Sequence, residues 1–237
     1  KMLASGDAQK ALKIVLADNP LPHITGVLCD HQCQTVCSRV DYEGTVEIRG
    51  MKLKVAQAAS IPAAATTRVQ GKGKAAVIGA GPAGLACAHY LALDGYPVTV
   101  FDEADSPGGV PANVIPRFRI SREDIAADID RIKALGAEFV FGAEARAIVS
   151  QKDGTAGTGQ GTPAGVDVAA LKARGFTSIV IATGAPVPRD LPLSGSGIKV
   201  VDALEFLEAA HSGNHEFDAA KAVVVTGGGN TAMDAAR

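Results

Sequence analysis

Tryptophan is absent, aromatic residues make up 4% of the 237-residue chain, and neither sign of charge dominates, with 23 Lys and Arg against 25 Asp and Glu. Such a chain lacks both the electrostatic footprint and the stacking platforms of a nucleic-acid binder. No charged and then long-apolar leader opens it, so no secretory signal is expected. The longest weakly charged stretch, 75–93, is cut by Gly79, Gly81, Pro82 and Gly84. It therefore reads as strand, turn and helix, not as a membrane span. Cysteine is scarce as well: of Cys29, Cys33, Cys37 and Cys87, three crowd into nine residues. Disulfide frameworks spread their cysteines to close loops, so this crowding predicts metal ligands in a reducing, cytoplasmic compartment.

What the chain does have is apolar content and glycine. At 47% hydrophobic residues it is globular, and its length predicts one to two domains. The 27 glycines gather in motifs and one loop, which points to backbone geometry rather than low complexity. The chain opens on Lys1 and stops in a helical pattern at Arg237, and we expect it to be part of something longer.

Residues 7–18 carry apolar positions at helical spacing, and Asn19 and Pro20 end the pattern. Pro22 predicts an extended segment after it. Cysteines and turn residues fill 29–44, a second helix is expected over 47–58, and 60–73 reads as a linker. From Lys74 the pattern changes to strand (AAVIG), helix (82–93) and strand (PVTVF), a βαβ unit. A Pro- and Gly-rich loop over 104–118 precedes a helix at 121–135, opened by Ser121. Strands are expected near 137–141, 145–149, 178–182 and 222–226, with a helix at 202–211 and a hairpin tip over 151–165.

Two strand–glycine–helix units recur 148 residues apart. In the first, Gly79-Ala80-Gly81-Pro82-Ala83-Gly84 has the G-x-G-x-x-G form, and Asp102 closes the next strand 23 positions after Gly79. That context marks a dinucleotide site: one glycine for the turn, one for approach to a pyrophosphate, one for helix packing, and the acid for a ribose. The helix N-terminus supplies free N–H groups and a positive dipole end. The second unit, Gly227-Gly228-Gly229-Asn230-Thr231-Ala232, is a G-x-G-x-x-A variant, and alone it reads equally as an ordinary βα turn.

GAGPAG, VTVFDEADSPGG, VIPRFRI, IATGA and GGGNTAMDAAR, in that order, resemble the two-dinucleotide flavoproteins of the glutamate synthase small subunit type. The electron-input region of dihydropyrimidine dehydrogenase belongs with them. The segment NPLPHITGVLCDHQCQTVC resembles the iron–sulfur segment that precedes the flavin domain there, and the nearest likeness is to bacterial subunits carrying the name selenate reductase. The resemblance implies an α/β architecture. A doubly wound, Rossmann-like FAD-binding domain (71–190) follows a small helical iron–sulfur-type segment and linker (1–70). The start of a second, NAD(P)-binding domain (191–237) comes last. It places Gly79, Gly81, Pro82, Ala83 and Gly84 on the FAD pyrophosphate and Asp102 on the ribose. Gly109 and Val110 lie along the flavin, where the family has Gly-Leu. Thr183 and Gly184 close the FAD domain, and Gly227, Gly229, Asn230 and Thr231 meet the nicotinamide dinucleotide.

Cys29, Cys33 and Cys37 form C-x3-C-x3-C. Three readings stay open: an iron–sulfur cluster completed by ligands from elsewhere, zinc held with His31, or reduced and merely packed thiols. The family shares such cysteines between two four-iron clusters. Residues 1–28 hold no cysteine, and Lys52 stands where the family has a carboxylate or amide ligand, so the cluster is expected to be incomplete or absent in this chain. Cys87 reads as a small core residue. No C-x4-C follows the flavin motif, so a dithiol–disulfide reductase is not expected. Arg117 and Arg119 read as a solvated loop near the flavin, and the histidines as packing or surface residues. The function expected is an oxidoreductase module passing electrons from NAD(P)H through FAD to an iron–sulfur site, then to a partner subunit or another part of the same chain. The competing expectation is a cofactor-binding or interaction module without turnover.

Overall fold

The computed structural model describes residues 2–59, 72–142, 145, 167–185, 197–213 and 222–237. Four helices come first: α1 (Ala8–Asp18), α2 (Pro22–Leu28), α3 (Gln32–Thr35) and α4 (Ile48–Ala58). The α/β part follows as β1 (Lys74–Ile78), α5 (Pro82–Leu93), β2 (Val98–Asp102), α6 (Val110–Asn113), α7 (Arg122–Ala134), β3 (Glu138–Phe141), α8 (Val168–Ala173) and β4 (Phe176–Ile181). Two helices end the chain, α9 (Ala203–His211) and α10 (Asn230–Ala236).

The four strands form one parallel sheet in the order β3-β2-β1-β4. This is the arrangement expected of a Rossmann-like domain, in which the strand order reverses beside β1 and opens a crevice there. Central parallel strands are covered on both faces, and the apolar residues of β1 and β2 are buried accordingly. Ala75, Val77, Val98 and Val100 face a core shared with Leu85, Ile129 and Ile132 of α5 and α7. Ala76, Ile78 and Phe101 face the opposite core with Leu171 and Phe176. Helix α7 begins as its sequence predicts, with the Ser121 hydroxyl accepting from the Asp124 N–H at 3.0 Å.

The N-terminal helices hold a small core of their own, Ala11, Leu12 and Val55 between α1 and α4. Helix α2 is the departure from expectation. Proline lacks an N–H, so Pro22 fits the first helical position and opens α2 instead of extending the chain. Leu21 and Ile24 then join the sheet's core. The cap comes from far away: Asp128 of α7, fully buried, accepts from the His23 N–H at 3.1 Å and the Ile24 N–H at 2.9 Å. The same carboxylate meets His23 Nδ1 at 2.9 Å and Arg131 Nη2 at 2.9 Å.

Two other expectations change. Residues 222–226 are not a strand, and Val224 is 90% exposed. A parallel strand exists only through a ladder with neighbours, and no described residue pairs with this segment. Ala145 is helical where a strand was expected, and 146–149 lie outside the described residues, as do the hairpin tip and most of the linker.

His89 is buried on α5, and no protein group bonds its Nδ1. Burial, reinforced by the Arg131 charge, holds its pKa below the ordinary value. Below about pH 6.5 the unfolded chain therefore takes up a proton that the folded chain refuses. Stability should be fullest above that pH and fall as the medium becomes more acid. Unfolding temperatures at about pH 7.5 and about pH 5 check it, with the drop smaller in His89→Phe than in the parent.

Candidate dinucleotide crevice and cysteine segment

The crevice lies where β1 and β4 end side by side. Gly79 leaves β1 with φ +105°, and a Cβ there would stand 2.3 Å from the Ala182 carbonyl oxygen. A Cβ on Gly84 would stand 1.8 Å from the Gly79 oxygen, so α5 can pack this closely on β1 only as glycine. These two glycines are explained by the fold. Gly81 is not. Its φ of −74° and ψ of −179° suit any residue, and the nearest atom to its imagined Cβ is Gly109 Cα at 3.9 Å. Its missing side chain leaves space that the protein does not fill. Gly81 also caps α5 without a side-chain hydrogen bond, and Pro82 follows it, which leaves the Ala83 and Gly84 N–H groups at an uncapped helix start.

Asp102 ends β2 half-buried. Its two oxygens accept from the Ala80 N–H at 2.5 Å and the Ala104 N–H at 2.9 Å. Its first task is therefore to pin the glycine turn to the following loop. Each carboxylate oxygen retains a further lone pair for a ribose hydroxyl.

The loop after β2 closes over the turn. Gly108 donates to the Ala80 carbonyl at 2.9 Å. Gly109 has φ +56°, and a Cβ on it would meet Gly81 Cα at 2.7 Å. Val110 begins the one-turn helix α6 and is about half exposed. Across the crevice, Thr183 and Gly184 follow β4 on the surface, Gly184 with φ +78°. The sequence-predicted FAD residues thus lie together at the C-terminal end of the sheet's strands.

The second glycine turn is exposed, and the helix it opens, α10, packs on α9. Gly227 has φ +127°, with its imagined Cβ 3.3 Å from Ala232 Cβ, and Gly229 caps α10. Between this turn and the 109–119 loop lies a cavity of about 140 Å³. Val110, Val114, Ile115 and Arg119 line one side, Leu204, Leu207, Asn230, Thr231 and Asp234 the other, and Leu28 at the end of α2 a third. Arg117 is exposed, as expected of a solvated loop, whereas Arg119 is partly covered, and both are engaged. Arg119 Nη1 donates to Asp234 Oδ2 at 2.7 Å, and Arg117 Nη2 lies 2.6 Å from His211 Nε2. Arginine only donates, so His211 accepts there as a neutral ring, and burial together with the Arg117 charge lowers its pKa.

Cys29 caps the C-terminal end of α2, Cys33 lies on α3 and Cys37 follows it. All four cysteines are free thiols. The backbone N–H of His31 reaches Cys29 Sγ at 3.4 Å. Backbone N–H groups of Val46 and Arg39 lower the Cys37 pKa. Arg49 Nη1 holds the Cys29 carbonyl at 3.0 Å, tying the segment to α4. His31 Nδ1 is turned to the Cys29 carbonyl at 3.3 Å. Among the described residues no group of three or more Cys, His, Asp or Glu side chains is placed to hold a metal ion. Burial raises the Cys87 pKa, in keeping with a packing residue.

Residues 73–237 match the model of the pyridine nucleotide-disulphide oxidoreductases. The chain belongs to this family. Residues 1–62 match a second model, dihydropyrimidine dehydrogenase domain II, 4Fe-4S cluster. Similar full-length proteins include "Putative oxidoreductase YgfK" of Escherichia coli K12, 39% identical over 236 residues, covering 96% of this chain and 20% of that protein. The NADPH-Fe(3+) oxidoreductase subunit beta of Geobacter sulfurreducens is 32% identical, covering 96% and 32%. The glutamate synthase [NADPH] small chain of Mycobacterium tuberculosis is 30% identical, covering 98% and 47%. The chain thus spans between a fifth and a half of the length of these curated relatives.

A pyridine nucleotide-disulphide oxidoreductase domain with a 4Fe-4S-type segment before it implies the cofactor set FAD, NAD(P)H and an iron–sulfur cluster. The space beside Gly81 and the uncapped α5 start fit a dinucleotide pyrophosphate. The cysteines fit a cluster in kind, as thiols with N–H donors aimed at sulfur. In number they fall short, since three thiolates leave a four-iron cluster one ligand short. Among the described residues no helix is long and apolar enough to cross a membrane.

Proposed function

We propose that this chain is the electron-input module of a larger cytoplasmic oxidoreductase, taking electrons from NAD(P)H and delivering them to an iron–sulfur site. The observation that carries the reading is the cavity. One wall comes from the flavin-side loop, one from the second glycine turn, and one from Leu28, the residue before Cys29. Donor, relay and acceptor segments meet there. Bound FAD supplies a two-electron acceptor that releases electrons one at a time, which is what links a nicotinamide to a cluster.

In this reading residues 1–70, 71–190 and 191–237 are the cluster, FAD and NAD(P) segments. Ala83 and Gly84 donate N–H groups to the FAD pyrophosphate, and Gly81 leaves room for it. Asp102 accepts from the ribose while it holds Ala80. Gly109 and Val110 border the ring, and Thr183 and Gly184 form the opposite lip. Gly227, Gly229, Asn230 and Thr231 receive the nicotinamide dinucleotide. The ligands that Cys29, Cys33 and Cys37 lack come from outside these 237 residues, in a longer chain or a partner subunit, which also takes the electrons onward. For the 237 residues alone, the unpaired 222–226 segment favours cofactor binding without turnover.

The deciding experiment is anaerobic titration of the full-length protein with NADPH and with NADH. Bleaching of a stoichiometric flavin, followed by reduction of a cluster signal, is expected. A protein without flavin, or with flavin that neither nucleotide bleaches, overturns the proposal. Asp102→Ala should weaken FAD binding roughly ten- to a hundredfold, the loss of about 1.5–3 kcal/mol of charge-assisted hydrogen bonding. Titration of the apoprotein with FAD measures it, and an unchanged affinity moves the ribose contact elsewhere. Replacing Cys29, Cys33 or Cys37 with Ala should each deplete iron in the anaerobic full-length protein, while Cys87→Ala leaves it intact. One zinc per chain and no iron would overturn the cluster assignment and leave the FAD site standing.

A further inference from the structure

The loop between α6 and α7 carries Arg117, Phe118 and Arg119 in succession, and each engages the C-terminal helices. Arg117 holds His211 at the end of α9. Arg237 lies over the Phe118 ring, 4.6 Å from its centre. Arg119 pairs with Asp234 on α10 at 2.7 Å, with the Asp234 side chain only 9% exposed. Loops that merely cover a domain do not spend three consecutive side chains on a helix pair more than ninety residues away in sequence.

The Arg119–Asp234 pair is the member that bears on chemistry. Both of its residues line the cavity, Arg119 together with Val110 and Val114 of the flavin-side loop and Asp234 together with Asn230 and Thr231 of α10. Asp234 lies one helical turn from Asn230 and Thr231, so whatever fixes Asp234 fixes that turn. Arg119 belongs to the loop that continues from Gly109 and Val110. Of the three contacts joining the loop to the C-terminal helices, this ion pair is the one that lines the cavity and ties its two borders together. It also neutralises the Arg119 charge, so the guanidinium is not offered to the flavin.

Resting on the reading of the previous section, we propose that Arg119 is a positioning residue for electron transfer from the nicotinamide, acting through Asp234. The clamp holds the second glycine turn at reacting distance from the flavin loop. Hydride passes only between closely approached rings, and a displacement of about 1 Å can cost on the order of a hundredfold in rate.

The test uses the full-length holoprotein, mixed rapidly and anaerobically with NADPH. In Arg119→Gln and Asp234→Ala the limiting rate of flavin bleaching should fall about 10- to 100-fold. Flavin content should stay stoichiometric, and the half-saturating NADPH concentration should change by less than about threefold. The exchanged pair, Arg119→Asp with Asp234→Arg, should recover most of the rate. Amides of 230–236 should exchange hydrogen faster in both single variants. An unchanged limiting rate overturns the clamp, and so does unchanged exchange in α10, even where no bleaching is seen. A parent protein that neither nucleotide bleaches overturns instead the electron-input reading on which the clamp rests.

Discussion

Gly81→Val should yield a folded protein that retains no flavin. Nothing in the fold objects to a side chain at 81: the backbone there is extended, and the nearest atom to a Cβ is 3.9 Å away. The branched carbons would instead fill the space beside Gly109 that a pyrophosphate needs, and would keep its oxygens from the Ala83 and Gly84 N–H groups. Losing that approach removes several charge-assisted hydrogen bonds at once. A fall of at least about a thousandfold in FAD affinity, roughly 4 kcal/mol, is expected. Visible absorbance of the purified protein reads it directly. Unfolding should be compared between the two apoproteins, since bound FAD itself stabilises the parent. Gly84→Val is the control of opposite kind: its Cβ would collide with the Gly79 oxygen, so the domain itself should fail. A Gly81→Val protein that keeps one flavin per chain would remove this turn from the cofactor site.

Asp128→Ala should cause a large loss of stability without touching the crevice. The carboxylate is wholly buried and serves four donors: two N–H groups of α2, the His23 ring and Arg131. Removing it leaves the largely buried Arg131 guanidinium, whose Nε already has no partner, with the Pro20 carbonyl in place of a carboxylate, and it uncaps α2. Breaking one side of such a pair costs about 3–5 kcal/mol, which in a chain of this size lowers the unfolding temperature on the order of 10 °C. Asp128→Asn keeps an acceptor for α2 and should fall between. An Asp128→Ala protein that melts within about a degree or two of the parent would show that α2 is held by its apolar face alone.

The sequence made the βαβ unit plain because its signals are local. Glycine spacing, apolar strands and the Ser121 cap each work within a few residues. What stayed hidden depends on partners distant in the chain. Pro22 reads as an extender until Asp128, 105 residues beyond the His23 N–H it accepts from, supplies the cap that makes α2 a helix. Arg119 reads as a solvated loop residue until Asp234, 115 positions away, is placed against it. Asp102 stands where a ribose acid belongs, but spacing does not disclose that both its oxygens already hold backbone N–H groups. Residues 222–226 have the composition of a buried strand, and composition cannot supply a ladder. His31, a candidate ligand by proximity, turns instead to a neighbouring carbonyl. Only the fold could decide these.

The pairing of β1 with β4 has a consequence for how the protein comes to hold its cofactor. Lys74 and Thr177 are joined across 103 residues, and the Gly79 turn takes its shape against Ala182. At a synthesis rate of about 5–20 residues per second, roughly 5–20 seconds pass between the first wall of the crevice and the second. During that interval the nascent glycine turn has only one side, and the apolar edge of β1 lies open. Cofactor capture is therefore a late event in biosynthesis, and ribosome-bound chains halted before Ala182 has emerged should not retain flavin however much is supplied.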